Sequence, residues 1–351
     1  MSLPLIYDQT LAELEARIAA WAQPAYRARQ VWHALYRRLA ATPAEMTTLP
    51  HSLRQSLDQS FHFEPFVVRA QAASRDKGTE KVLLGLEESL AIEAVLMRYD
   101  RRRTACISTQ AGCAMGCVFC ATGQMGFQRH LSAGEIVAQV MHFARRLAEE
   151  GDRLTNLVIM GMGEPFHNYE ATLRAIDILT DPEGFQFGAR RITLSTVGIA
   201  PMIERFAREQ RQVNLAISLH AATDELRSRL LPVNRRYPLA ELMGACRYYI
   251  EQTGRRLSFE WALIEGVNDT QEQAAALAEW LHGMLCHVNL IPLNPTQGYA
   301  GEATSRDRAS DFARRLEERG IPTTVRLRRG IDIQAGCGQL ATQAREPAAP
   351  K

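Results

Sequence analysis

The chain has very little lysine and no long apolar segment. Only three of its 41 basic residues are lysine, at Lys77, Lys81 and Lys351, so the remaining 38 are arginine. No apolar run approaches the roughly 20 residues that a membrane-spanning helix requires. The first residues, MSLPLIYDQT, lack the basic and then apolar segments that are typical of a secretory signal. We therefore expect a cytoplasmic protein that does not associate with a membrane.

The arginine content has two interpretations. It could reflect a GC-rich genome, or it could reflect the fit between the planar guanidinium group and phosphate. The formal net charge of +2 does not decide between them. The clusters that fit the second interpretation lie at Arg101, Arg102, Arg103, Arg235, Arg236, Arg326, Arg328 and Arg329.

Cysteine is present, but its pattern does not indicate disulfides. Seven cysteines without a secretory signal are typical of a reducing compartment, where thiols bind metals or act in catalysis. Cys113, Cys117 and Cys120 lie together in GCAMGCVFC. Three thiolates can hold three irons of a [4Fe–4S] cluster and leave the fourth iron open. This spacing resembles the pattern of radical S-adenosylmethionine (SAM) enzymes. A zinc site, the alternative, normally needs four protein ligands.

Periodicity predicts one large α/β domain with appended segments. Residues 1–62 show helical spacing, and residues 63–98 read as a small β-hairpin extension. Residues 99–332 alternate strand-like and helix-like segments, whereas residues 333–351 form a loop and a polar tail. Capping boxes at Ser132 with Glu135 and at Thr270 with Gln273 mark two helix starts. The expected strands of the core are residues 104–109, 156–162, 191–196, 213–218, 257–263 and 286–292.

Six strand–helix units favour an open (β/α)6 barrel of the TIM type over a doubly wound sheet. In both architectures, ligands bind at the carboxyl ends of the strands. The polar or glycine residues at those ends are candidate ligand contacts: Gly163, Glu164, Ser195, Ser218, His220 and Asn294.

Further candidates come from cysteines and from one carboxylate. Cys337 lies between two glycines in an accessible loop, which suits a nucleophile. Cys106 lies within the first core strand, seven residues before the three-cysteine loop. Glu93 interrupts the apolar run LAIEAVLM, so it must be paired or functional. Cys246 and Cys286 have apolar, periodic surroundings and are expected in the core.

Nearly the whole chain resembles the RlmN family of dual-specificity RNA methyltransferases within the radical SAM superfamily. The resemblance rests on ACISTQAGCAMGCVFCATGQMGF, MGMGEPFHNY, LSTVG, LAISLHA, LIPLNP and DIQAGCGQL. One departure is Gly336 before Cys337, where the family usually has alanine.

The resemblance implies methylation of adenine carbon 2 in 23S rRNA, near the peptidyl-transferase centre, and in tRNA, 3′ to the anticodon. It assigns the [4Fe–4S] cluster to Cys113, Cys117 and Cys120. It assigns SAM contacts to Gly163, Glu164, Ser195, Ser218, Leu219, His220 and Asn294.

In the implied reaction, which uses two SAM molecules, Cys337 first takes a methyl group from SAM. A 5′-deoxyadenosyl radical then activates that methyl group for addition to adenine. Glu93 or Cys106 takes the ring proton, and Cys106 releases the product by forming a transient disulfide with Cys337. A flavodoxin or ferredoxin would supply electrons, and we expect a monomer.

RNA contacts are expected from the N-terminal module and from Arg326, Arg328 and Arg329. Two rival interpretations remain. One is a Cfr-type enzyme that methylates carbon 8 of the same rRNA adenine, which Pro165 disfavours because Cfr-type sequences tend to carry alanine there. The other is a non-catalytic iron–sulfur protein that binds RNA or carries electrons.

Overall fold

Most of the chain is organised around one open, twisted sheet. The computed structural model describes residues 3–86, 89–326 and 329–340. Within them, ten strands form the main sheet in the order β1-β2-β3-β4-β7-β8-β9-β10-β11-β12, and β5 and β6 form a separate pair. The strands are β1 (Val67–Ala73), β2 (Thr79–Gly85), β3 (Ala91–Arg98), β4 (Arg103–Cys106), β5 (Gln110–Gly112), β6 (Phe127–His130), β7 (Asn156–Ile159), β8 (Ile192–Thr196), β9 (Asn214–Ser218), β10 (Leu257–Leu263), β11 (Cys286–Pro292) and β12 (Thr323–Val325).

Helices alternate with the strands and cover the outer face of the sheet. They are α1 (Leu11–Ala20), α2 (Tyr26–Tyr36), α3 (His51–Ser60), α4 (Ala121–Gln124), α5 (Ala133–Glu149), α6 (Tyr169–Thr180), α7 (Ala200–Arg208), α8 (Asp224–Leu230), α9 (Leu239–Thr253), α10 (Gln271–Leu281) and α11 (Arg306–Glu317). Among the described residues, no helix combines the length and the apolar character needed to cross a membrane.

The core strands β4 and β7 to β12 are parallel, as repeated strand–helix units require. This confirms the predicted partial barrel of the TIM type. The short strand β12 was not predicted, because three residues give too little periodicity to detect. The first core strand also ends earlier than expected, at Cys106, and Gln110 begins the separate pair β5–β6.

Both predicted helix starts are present, with one difference. Ser132 and Glu135 form the full capping box at α5. At α10, Thr270 accepts a hydrogen bond from the backbone of Gln273. The Gln273 side chain accepts instead from the backbone N–H of Ala222, at 2.9 Å. The prediction of Thr270 as the capping residue is therefore confirmed, but the side chain of Gln273 bonds to Ala222 and does not complete the capping box.

The antiparallel strands β1 to β3 extend the barrel sheet, because β3 pairs with β4. In this register Glu93 lies directly opposite Leu83, and Lys81 lies opposite Val95. Lys81 and Glu93 are therefore diagonal neighbours on one face, within reach of each other.

The N-terminal helices dock onto the barrel through Asp8. One carboxylate oxygen of Asp8 accepts from the backbone N–H of Gly134 at 2.6 Å, and the other from the hydroxyl of Ser132 at 3.1 Å. Both donors lie at the start of α5, where backbone N–H groups lack partners inside the helix. Arg145 of α5 in turn donates to the carbonyl of Leu39 at 2.8 Å. The N-terminal segment is thereby fixed to the barrel at several points.

We predict that Asp8→Ala lowers the free energy of unfolding by about 1–2 kcal/mol, because α5 loses a capping carboxylate. Urea denaturation measures this change. Asp58→Ala, at an exposed position of α3, is the matched control and should change stability by less than about 0.5 kcal/mol. Equal effects of the two substitutions would contradict the capping role.

Candidate functional site at the carboxyl ends of the parallel strands

The three-cysteine loop leaves the small β5–β6 pair and crosses the carboxyl ends of the parallel strands. It begins at Gly112, whose φ is +72° and whose hypothetical Cβ would lie 1.9 Å from the carbonyl oxygen of Gly126. Only glycine fits there. The backbone N–H of Cys113 donates to the same carbonyl at 3.0 Å. The start of the loop is therefore fixed by backbone contacts.

The three thiols of this loop fit a metal cluster. Each thiolate of a [4Fe–4S] cluster binds a different iron, so Cys113, Cys117 and Cys120 can hold three of its four irons. Burial raises the pKa of the Cys113 thiol to about 12 and that of Cys117 well above its usual value, and the neighbouring thiols raise both further. Thiolates in this loop therefore need a cationic partner, which a cluster supplies.

Glu164 lies beside this loop on the segment after β7. It is buried, and its oxygens accept from the backbone N–H groups of Val197 at 2.8 Å and Phe166 at 3.0 Å. Burial raises its pKa to about 7, although these hydrogen bonds lower it. Gly163 has a φ of +98°, and a Cβ there would lie 2.5 Å from the side chain of Gln110. The two backbone hydrogen bonds hold the Glu164 carboxylate next to the cysteine loop.

The hydroxyls of Ser195 and Ser218 lie 3.3 Å apart at the ends of β8 and β9. His220 follows with a φ of +60°, and its Nδ1 accepts from the backbone N–H of Ala262 at 2.9 Å. Burial lowers the pKa of His220 to about 3, so this imidazole is neutral at physiological pH. Leu219, between Ser218 and His220 in sequence, is fully buried.

Arg227 is a buried residue that the sequence analysis did not identify. Its guanidinium donates to the carbonyls of Val197 at 2.6 Å and Leu219 at 3.2 Å, and to the side chain of Asn234 at 2.9 Å. It joins the ends of β8 and β9 and lowers the pKa of the Cys117 thiol. In a chain with 38 arginines among its 41 basic residues, nothing in the sequence distinguishes it.

The C-terminal segment lies across the same end of the barrel. The amide of Asn294 donates to the carbonyl of Cys337 at 3.0 Å, while its Oδ1 is buried without a partner among the described residues. The carbonyl of Gly338 accepts from the backbone N–H of Ala121 at 2.7 Å. A Cβ on Gly336 would lie 2.7 Å from the Asn294 amide nitrogen. The glycine that replaces the usual alanine therefore permits a close approach.

Cys337 raises the pKa of the Cys106 thiol, so the two cysteines are neighbours. The Cys337 side chain is exposed, but protein around its thiol raises the thiol pKa through desolvation, and Arg326 lowers it. Burial raises the pKa of Cys106 to about 12, and Cys337 adds to this effect. All seven cysteines are free in the structure. Cys246 and Cys286 are buried in the core, as expected.

Glu93 is paired, and its partner is one of the rare lysines. The Nζ of Lys81 lies 2.8 Å from a carboxylate oxygen of Glu93, and both side chains are largely buried. The same Nζ donates to the carbonyl of Gln334 at 3.2 Å. Lys81 therefore links Glu93 to the segment that carries Cys337.

Two of the three arginines expected to contact RNA are described. Arg326 lies close enough to Cys337, Cys106 and Glu260 to lower the pKa of each. Arg329 stacks on Tyr99 at 4.5 Å, and Arg102 contacts the same ring at 4.9 Å. Arg328 lies outside the described residues.

Comparisons with known proteins agree with this architecture. Residues 107–278 match the family model described as the radical SAM superfamily. The chain is 52% identical over 335 residues to "Dual-specificity RNA methyltransferase RlmN 1" of Myxococcus xanthus, covering 95% of this chain and 93% of that protein. It is 46% identical to "Probable dual-specificity RNA methyltransferase RlmN" of Geobacillus kaustophilus, with 98% and 94% covered.

A solved structure is also similar to this chain. It is a radical SAM methyltransferase from Sphaerobacter thermophilus, with a TM-score of 0.95 and 54% sequence identity. The match covers 97% of this chain and 100% of the other.

We predict that Lys81→Met lowers the free energy of unfolding by about 3–5 kcal/mol, because the variant breaks a largely buried ion pair with Glu93. Alkylation of Cys337 should also accelerate, since its segment loses an attachment. Lys77→Met, at an exposed lysine of the same hairpin, is the matched control. If both variants unfold at the same urea concentration, the ion pair does not stabilise the fold.

We predict an unusual pH dependence for Cys106. With a pKa of about 12, its thiol is almost fully protonated at pH 7. Its alkylation rate in the cluster-free protein should rise about tenfold per pH unit up to pH 10, following the thiolate fraction. Anaerobic iodoacetamide labelling with peptide mass mapping measures this rate. A plateau near pH 9 would show an ordinary thiol.

Proposed function

Because the chain belongs to the radical SAM superfamily and, within it, to the RlmN family of dual-specificity RNA methyltransferases, we propose that it methylates carbon 2 of adenine in RNA. The substrates would be one adenine of 23S rRNA near the peptidyl-transferase centre and the adenosine 3′ to the anticodon in tRNA. The observation that carries this proposal is the placement of two further cysteines, Cys106 and Cys337, beside the three-cysteine loop.

Cys113, Cys117 and Cys120 are the residues that would hold the family's [4Fe–4S] cluster. The SAM contacts would be Gly163, Glu164, Ser195, Ser218, Leu219, His220 and Asn294. When bound, the cluster and SAM supply a 5′-deoxyadenosyl radical that activates a methyl group. The buried carboxylate of Glu164 suits the ammonium group of SAM, and the free Oδ1 of Asn294 provides a further acceptor.

Cys337 would carry the methyl group. A thiolate is the nucleophilic form of cysteine. Desolvation raises the pKa of Cys337, and the nearby guanidinium of Arg326 partly offsets this effect. The exposure of Cys337 lets a methyl donor and then an RNA base reach it in turn. Methyl transfer to sulfur is needed first because carbon 2 of adenine is electron-poor and does not attack SAM directly.

Glu93 and Cys106 would complete the reaction. The pKa of about 12 makes the Cys106 thiolate rare at neutral pH, which favours Glu93 as the acceptor of the ring proton. Lys81 would hold the Glu93 carboxylate in place for this role. Once the RNA adduct has lost the ring proton and one electron, for which the cluster would be the acceptor, Cys106 would attack the sulfur of Cys337. The new Cys106–Cys337 disulfide would replace the bond from that sulfur to the methylene carbon, which would take a proton to become the methyl group of the released RNA, and the disulfide would then be re-reduced.

RNA would approach over the face that carries Arg326 and Arg329. A target base must leave its stack to enter an enclosed site, and arginine can hold the flanking phosphates. Arg326 lies beside Cys337, so its contact would be close to the reacting base. The N-terminal module, residues 1–62, would add contacts. We further propose a cytoplasmic monomer that receives electrons from a flavodoxin or ferredoxin.

Anaerobic reconstitution with iron, sulfide, SAM and rRNA or tRNA fragments tests the proposal. We expect 2-methyladenosine by mass spectrometry, together with 5′-deoxyadenosine. Cys337→Ala should abolish product while iron content and RNA affinity stay unchanged, because Cys337 is not a cluster ligand. Cys286→Ala, a core cysteine away from the site, is the matched control and should retain activity.

Other outcomes would contradict the proposal. Formation of 8-methyladenosine would identify a Cfr-type enzyme, which the RlmN relatives disfavour. Iron-containing protein that binds RNA but never forms 5′-deoxyadenosine would indicate a non-catalytic iron–sulfur protein.

A further inference from the structure

A row of polar side chains crosses four neighbouring parallel strands of the barrel. Glu260 on β10 is the direct register partner of Ser218 on β9 and of Asn289 on β11. Directly paired residues of parallel strands point to the same face of the sheet. Ser195 on β8 joins the row through its 3.3 Å contact with Ser218. The row therefore continues from two proposed SAM contacts to Glu260 and Asn289.

The row faces the interior of the barrel. The residue after Glu260 is Trp261, and its ring packs on Phe312 of the outer helix α11, with centroids 5.7 Å apart. Because successive residues of a strand point to opposite faces, Glu260 points away from the helices. Its side chain is thus directed into the space that the strands enclose.

One oxygen of Glu260 has no partner. Glu260 is only 5% exposed. Its Oε1 accepts from the amide of Asn289 at 2.8 Å, whereas Oε2 is buried without a hydrogen bond to any described residue. A buried carboxylate oxygen that stays unpaired is costly, so such an atom indicates a ligand. Asn289 holds the carboxyl group in one orientation and leaves Oε2 available.

Two groups of the candidate site, Cys337 and Arg326, lie close to this carboxylate. Glu260 raises the pKa of the Cys337 thiol, and Arg326 lowers the pKa of Glu260, so all three lie close together. Glu260 is thus the register partner of Ser218 and is also close to the proposed methyl carrier, Cys337. A SAM molecule that contacts Ser218 and presents its methyl group to Cys337 would lie near Glu260.

The chemistry of the row favours hydroxyl groups as the ligand. A carboxylate only accepts hydrogen bonds, and carboxylates bind the ribose hydroxyls of nucleotides in other folds. Glu164 would accept from the ammonium group of SAM, so a second buried carboxylate suits other donors of SAM, and the ribose hydroxyls are such donors. We propose that Glu260 accepts hydrogen bonds from the ribose hydroxyls of SAM. This inference rests on the proposed function, since it assumes that SAM binds in the barrel.

Glu260→Gln tests the contact from the protein side. The glutamine oxygen must accept from Asn289, so its NH2 group faces the ligand and the acceptor is lost. We expect SAM to bind roughly 10- to 100-fold more weakly, as for loss of a hydrogen bond to a charged group. Equilibrium dialysis against reconstituted protein without RNA measures this. Glu279→Gln, at an exposed glutamate of α10, is the matched control and should bind SAM normally.

SAM analogues test the contact from the ligand side. The 2′-deoxy or the 3′-deoxy analogue should bind the wild-type protein more weakly than SAM does. The same analogue should bind Glu260→Gln about as well as SAM does, because the contact is already absent. Iron content and circular dichroism report whether the variant has folded. If it has not, Glu260→Asp replaces it, and we expect intermediate affinity because an acceptor remains.

Three results would overturn the inference. SAM could bind Glu260→Gln with wild-type affinity, or the deoxy analogues could lose equal affinity in both proteins. Alternatively, the Glu260→Gln variant could bind SAM and methylate Cys337 normally but fail to methylate RNA. This result would indicate that Glu260 contacts the substrate adenine instead of SAM. Failure of the proposed function is distinguishable, because wild-type protein would then bind SAM with the predicted pattern but form no 2-methyladenosine.

Discussion

The attachment of the C-terminal segment across the strand ends determines what this site can do. Gly338 accepts from the backbone of Ala121, and Leu340 accepts from the Thr122 hydroxyl at 2.7 Å. Both donors directly follow the three-cysteine loop. Asn294 binds the segment from a third direction, at the carbonyl of Cys337. These few bonds bring an accessible thiol beside the cysteine loop, although more than 200 residues separate them in sequence.

Burial of charged and ionisable groups is the second constraint on the site. Glu164, Glu260 and Glu93 are all buried, and each is stabilised in a different way. Glu164 accepts two backbone N–H groups, Glu93 has the Lys81 ammonium, and Glu260 has one amide. A buried carboxylate favours a positively charged or hydrogen-bond-donating ligand when its protein contacts only partly offset the cost of burying its charge. The same reasoning applies to the thiols of Cys113 and Cys117, whose pKa values are raised by burial.

The sequence predicted the parts of the structure that depend on local pattern. Alternation of strands and helices was sufficient for the parallel barrel, and a serine followed three residues later by glutamate located the start of α5. The cysteine spacing and the polar residues after apolar strands predicted a candidate site at the carboxyl ends of the strands, and the fold brings these residues together there. These features are short-range, so a single sequence can report them.

Features that depend on tertiary contacts were not predicted. Arg227 resembles any other arginine in sequence, and its role follows from the carbonyl and amide acceptors that the fold brings together around it. Lys81 was noted only as a rare residue, because its pairing with Glu93 depends on the register of β2 and β3. Glu260 lies in an apolar strand like Glu93, but its neighbours across β9 and β11 are visible only in the sheet.

The scarcity of lysine gives the Lys81 ion pair a practical consequence. Amine-directed reagents have very few targets in this chain, and the amine of Lys81 is bonded to the segment that carries Cys337. Displacement of that segment during a catalytic cycle would release this amine. The acylation rate of Lys81 would then report how often the site opens, without any added label.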